Sequence, residues 1–111
     1  MNNYIVLFRE PDGREEPHSA EEISRHRASW KLWFEEWTEK GRIAGGAGLS
    51  LDGRILFGNE DVIDGIHRNG KEIVGGFLLL RAGSLDEASG IIRGCPIFEF
   101  DGYAEVREMQ G

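Results

Sequence analysis

The chain has 111 residues, room for one domain spanning 1–111, with 40% hydrophobic and 30% charged residues, an ordinary globular mixture. Thirteen basic residues against twenty acidic ones leave a net charge of −7, which repels phosphate backbones and anionic lipid and argues against nucleic acid or a membrane surface as partner. Cys95 is the only cysteine, so neither an internal disulfide nor a cysteine-based zinc cluster can form. The longest apolar run, Phe77-Leu78-Leu79-Leu80, falls far short of a membrane span, and Met1-Asn2-Asn3-Tyr4 opens no secretory signal. The cytoplasm is the expected location.

Tyr4-Ile5-Val6-Leu7-Phe8 reads as a first strand, and the charged, proline-bearing stretch from Glu10 to Pro17 as a loop. Ser19-Ala20-Glu21-Glu22 fits a capping box, in which serine hydroxyl and glutamate carboxylate each accept from the other's amide. No Gly or Pro interrupts the chain from there to Lys40, and Gly41 supplies a left-handed stop. At 100° per residue, Ile23, His26, Trp30, Trp33 and Trp37 form one stripe of this helix, with Phe34 at its margin.

Arg42 to Leu51 reads as a glycine-rich strand, Asp52-Gly53 as a hairpin turn, and Arg54 to Phe57 as the return strand, extended by Val62-Ile63. Asp64 to Lys71 is a polar loop, and Glu72 to Arg81 another strand. Ser84-Leu85-Asp86-Glu87 repeats the capping box and opens a shorter helix that turns Leu85, Ala88 and Ile92 inward and ends at Gly94. Phe98 to Met109 contains the last strand. The order is that of a ferredoxin-like α+β domain: an antiparallel sheet with two helices on one face.

Helices on one face should leave the other face polar, so strands should alternate. Tyr4 to Phe8 and Phe77 to Leu80 are apolar at every position. Whichever parity meets the helices, at least four large side chains need other cover, each worth ~1.5–3 kcal/mol when fully buried. A second copy packed sheet to sheet supplies it, predicting an isologous homodimer. The competing reading folds the loop from Asp61 to Lys71 over that face.

His26, within the apolar helix stripe, is the leading candidate for acid–base chemistry, competing with a purely structural, hydrogen-bonded role. Asp64 and His67, at a strand end and in the loop after it, are the other catalytic candidates. Trp30 and Trp33 can wall a pocket for a flat ligand, and Arg9 and Arg27 can anchor an anionic group. The spacing of His18, His26 and His67 matches no metal motif. Gly45-Gly46-Ala47-Gly48 and Gly75-Gly76 precede neither Lys-Ser/Thr nor a helix, so they read as bulges or close approaches rather than a phosphate loop. No metal and no cofactor is expected.

Val62-Ile63-Asp64-Gly65, Lys71-Glu72, Gly75-Gly76-Phe77, Ser84-Leu85-Asp86-Glu87-Ala88 and Glu105-Val106-Arg107 follow one another in an order that resembles the YCII-related family, specifically its DGPF branch. The resemblance implies a ferredoxin-like subunit paired into a dimeric α/β barrel. It implies little about activity: some members accompany sigma factors, and one relative is a dehydrochlorinase acting on a chlorinated aromatic breakdown product. Ile66 and His67 stand where the branch has Pro and Phe. Trp30 stands where smaller members carry a histidine, and the partner aspartate falls near Gly94-Cys95, so that dyad does not carry over. The reading that follows is a homodimer binding a small aromatic or anionic molecule between the first helix and the sheet, non-catalytic or regulatory. The alternative is a cofactor-independent enzyme of lyase, isomerase or dehydrochlorinase type, acting on a small aromatic or dienoic acid.

Overall fold

Alternation decides which side of each strand meets the helices. In the computed structural model, which describes residues 1–111, β1 (Asn2–Pro11) buries Tyr4, Val6 and Phe8 and leaves Ile5 and Leu7 half-buried on the opposite face. β5 (Glu72–Ala82) does the same with Leu78 and Leu80 against Phe77 and Leu79. These strands pair antiparallel, with Val6 opposite Leu78 and Leu7 opposite Phe77, so the two apolar faces coincide. β2 (Ile43–Gly48) pairs with β5 and β6 (Tyr103–Glu108) with β1, giving the antiparallel order β2-β5-β1-β6. That is the ferredoxin-like arrangement expected from the sequence.

Both helices lie on the Tyr4-Val6-Phe8 side. α1 (Ala20–Glu39) opens with the expected capping box, both hydrogen bonds present, and buries Trp33. α2 (Leu85–Ile92) opens at Ser84, whose hydroxyl accepts from the Glu87 amide, but the Glu87 carboxylate turns to Gly83 and Arg42 instead of Ser84. It buries Ala88, Ile91 and Ile92. Leu85, expected inward, is 51% exposed, because its position in the first turn lies beyond the sheet's cover. Trp33, Ile43, Ala88, Ile91, Ile92, Cys95 and Ile97 complete one core with the inward strand residues.

Four further features differ from expectation. First, β1 continues through Glu10 and Pro11, with a bulge after Phe8; the proline is tolerated near the strand's end. Second, Asp52-Gly53 is no hairpin turn. β2 takes β5 as its partner, and β3 (Arg54–Leu56) pairs with β4 (Val62–Asp64) in a separate two-stranded arm. Third, Val62-Ile63 therefore runs back along β3 rather than extending it, after a turn in which the Phe57 amide donates to Asp61 and the Glu60 amide to Phe57. Gly53 sits at the arm's base, accepting from the Gly65 amide at 2.8 Å. A Cβ there would fall 2.7 Å from Ile66, so close approach, not turn geometry, calls for glycine. Fourth, a 3-10 turn over Pro96–Phe100 precedes β6.

The folded chain measures 41 × 41 × 19 Å. The short dimension is that of one helix layer on one sheet, and the arm does not fold back over Ile5, Leu7, Phe77 and Leu79. The loop-cover reading is thereby excluded. No helix is long and apolar enough to cross a membrane.

Candidate functional site

Where the helix face of a strand lacks side chains, a helix packed on it leaves a hollow. Gly46 and Gly48 of β2 lie opposite Leu78 and Gly76 of β5, and Gly75 occupies the bulge opposite Phe8 and Arg9. The result is a cavity of about 780 Å³ between this stripped strand pair and the flank of α1. Its wall is aromatic, with Phe8, Trp30 and Phe34; its charged lining comprises Glu10, His26, Arg27, Lys31 and Glu35. The Trp30 ring meets Phe8 edge-on at 5.1 Å, and Trp33 behind it meets Trp30 in the same manner at 5.9 Å. Arg27 and Lys31, one turn apart, are exposed and form no ion pair within the chain.

His26 is held from both sides. The Trp30 indole Nε1 donates to His26 Nε2 at 2.9 Å. An indole N–H can only donate, so Nε2 is the acceptor, and Nδ1 carries the proton given to Glu99 Oε1 at 2.8 Å. Phe100 stacks on the imidazole at 4.3 Å and on His18 at 3.7 Å, so the ring is clamped between two histidines. Glu99 and Phe100 arrive from the 3-10 turn, 73 and 74 residues along the chain. No spacing in the sequence signals that meeting.

Glu10 is a cavity residue that the sequence does not announce, because the charged, proline-bearing stretch it opens reads as a loop whereas β1 continues through it. The continued strand turns its carboxylate inward over Gly75, where any side chain would collide with it. It is half-buried and has no hydrogen-bond or ion-pair partner. Burial pushes its carboxyl above the ordinary glutamate range, and nearby His26 opposes that shift.

The other candidates lie elsewhere. Trp33 is buried one layer behind the cavity, and its Nε1 is the single buried side-chain polar atom without a partner. Arg9 projects from the opposite face of the sheet, bonded to Glu105 at 3.1 Å and near Glu72. Asp64 is on the arm, 82% exposed and paired with Arg54 at 2.8 Å, and His67 is exposed beyond it. Neither is bonded to His26, and neither lines the cavity beside it. Cys95 is buried in the core, which pushes its thiol up to about 12 and makes it inert as a nucleophile.

The YCII-related domain model matches residues 8–110, nearly the whole chain. The chain belongs to the YCII-related family. Its fold is similar to that of 5-chloro-2-hydroxyhydroquinone dehydrochlorinase (TftG) from Burkholderia phenoliruptrix AC1100, solved in complex with 2,5-dihydroxybenzoquinone. The TM-score is 0.55 at 18% identity, covering 96% of this chain and 93% of that one. At such identity the likeness concerns the fold alone. No curated protein sequence matches the chain.

Proposed function

We propose that this YCII-related chain acts as a homodimer that binds a small aromatic anion in the cavity between α1 and the glycine-stripped strands. The observation that carries the reading is one hollow of about 780 Å³ combining an aromatic wall with two unpaired cations. In a chain of net charge −7, Arg27 and Lys31 stand free of the surrounding carboxylates, available to an anionic group. Trp30 and Phe8 offer ring faces and edges to a planar body. The dehydrochlorinase of similar fold was solved with a hydroxylated six-membered ring, which supports a ligand of that size. Pairing rests on Ile5, Leu7, Phe77 and Leu79, an apolar patch on the face that no element of the chain covers. The DGPF-like run from Val62 to Gly65 supports membership of that branch.

A second reading, an enzyme without cofactor, is favoured by one observation: Glu10 is a partnerless carboxylate, held near a histidine and biased toward its neutral form. Burial of this kind makes the ionised carboxylate a stronger proton acceptor than a free glutamate. In this reading Glu10 accepts the proton of a bound aromatic or dienoic acid, while His26, braced by Glu99 and Trp30, orients the ring. Asp64 and His67 would enter only from a second subunit.

The test is a titration with 4-hydroxybenzoate, read by tryptophan fluorescence. Saturable quenching is expected, with Arg27→Ala weakening binding about tenfold, the loss of one charge-assisted hydrogen bond. Affinity should fall as pH rises through the raised Glu10 pKa, because the ionised carboxylate repels an anion; Glu10→Gln should flatten that slope. No quenching by 4-hydroxybenzoate or other aromatic acids refutes the binding reading. A pH profile unchanged in Glu10→Gln removes Glu10 from the chemistry.

A further inference from the structure

The β3–β4 arm is built for a surface that its own subunit does not offer. Leu56 opposite Val62 lies on one side of the ribbon, 72% and 53% exposed, and Ile55 opposite Ile63 lies on the other. A two-stranded ribbon is marginal in water even with one apolar side, and this one carries exposed apolar pairs on both, beside the Arg54–Asp64 ion pair. The arm pairs with no strand of the main sheet.

The whole-chain surface leads to the same place. A free-standing monomer of 12.5 kDa exposes about 6,200 Å², whereas this subunit exposes 7591 Å², an excess of about 1,400 Å². A radius of gyration of 15.3 Å against about 13 Å for a compact chain of this length agrees. Standard interfaces cover about 800 Å² per partner and obligate homodimers more, so the excess is the size of a dimer interface. The bare sheet face cannot account for it alone. Four strands spaced ~4.8 Å apart and about six residues long give a footprint of about 400 Å².

We propose that the arm of each protomer grips a second copy of this chain, so that the dimer is held by two reciprocal arm contacts flanking the paired sheet faces. The inference rests on the pairing reading above and adds to it a second, separable contact. A second copy is the occupant that both observations fit: the excess surface is of the size that a homodimer covers, and two-fold symmetry covers both arms at once. The arm carries Asp64 and leads into His67, so the same crossing brings these residues to the partner rather than to their own cavity.

The experiment joins sedimentation with amide hydrogen exchange on the full chain. Wild type should be a dimer at micromolar concentration, with the amides of Arg54–Leu56 and Val62–Asp64 protected in the dimer and fast on dilution. The double variant Leu56→Asp, Val62→Asp should raise the dimer dissociation constant about a hundredfold or more with an unchanged circular dichroism spectrum, since both side chains are exposed in the subunit. A variant dimer as tight as wild type, with arm amides exchanging freely in both, overturns the arm contact and leaves the sheet pairing standing. A wild type that sediments as a monomer overturns both.

Discussion

The two faces of the four-stranded sheet are made from alternate residues of the same strands, yet they have opposite fates. Tyr4, Val6, Phe8, Leu78 and Leu80 are sealed beneath the helices; Ile5, Leu7, Phe77 and Leu79, their immediate neighbours, are half-buried with nothing above them. The side chains are of one chemical kind, so the difference lies in what covers them. One face stabilises the folded chain, and the other has no cover from any element of the chain.

Neighbouring leucines give the sharpest test of that contrast. Leu78→Ala should cost about 2–5 kcal/mol in urea unfolding, because it opens a cavity in a packed core. Leu79→Ala, one residue on, should leave the unfolding of a dilute monomer within about 1 kcal/mol of wild type and appear instead as weaker self-association by sedimentation. Equal losses of subunit stability at both positions would break the comparison.

A smaller effect, confined to acid, belongs to the turn that ends β1. Asp12 is inaccessible to solvent, and its carboxylate accepts from the Arg14 amide at 2.9 Å and from the Arg14 guanidinium at 2.7 Å. The Arg14 hydrogen bonds hold its pKa at about 2, below the ordinary 3.8. A carboxyl depressed in the folded state stabilises fully above its unfolded pKa and loses that contribution as pH falls through the folded one. The melting temperature should therefore drop as pH is lowered from about 3.8 toward 2, and Asp12→Asn should melt lower near neutrality with a shallower acid drop. The Asp12 amide also donates to the Lys71 carbonyl at 2.7 Å, so hydrogen exchange after this substitution should loosen the return segment of the arm before the helix-covered core.

The smallest effect compares the two helix starts. Ser19→Ala breaks a complete capping box and should cost about 1 kcal/mol in thermal unfolding. Ser84→Ala, where Glu87 has turned to other partners, should cost less. The reverse order would mean that the reciprocal bond at Ser19 contributes nothing.

Much of this was legible in the chain. The capping serines, the uninterrupted helix to Lys40 and the apolar strands announced the ferredoxin-like order, because those signals act within a few residues. The Arg54–Phe57 segment was read as a partner for β2, since Asp52-Gly53 is a strong local turn signal. Tertiary pairing overrode it once β5 offered β2 a longer ladder. Of the candidate site, His26 and Trp30 were visible from helical spacing, and Arg27 only as an arginine able to anchor an anion. Glu10 was hidden by the proline after it, and Glu99 by the long stretch of chain between it and His26.

By itself, then, the sequence determined what is periodic and local: helix and strand identity, the aromatic stripe of α1, and the fact that both sides of the strands are apolar. Only the tertiary structure decided which apolar side the helices take, that four glycines meet to hollow a cavity, and that the arm stands clear. Those outcomes depend on which distant surfaces come together, and close packing, unlike helix capping, has no short-range code.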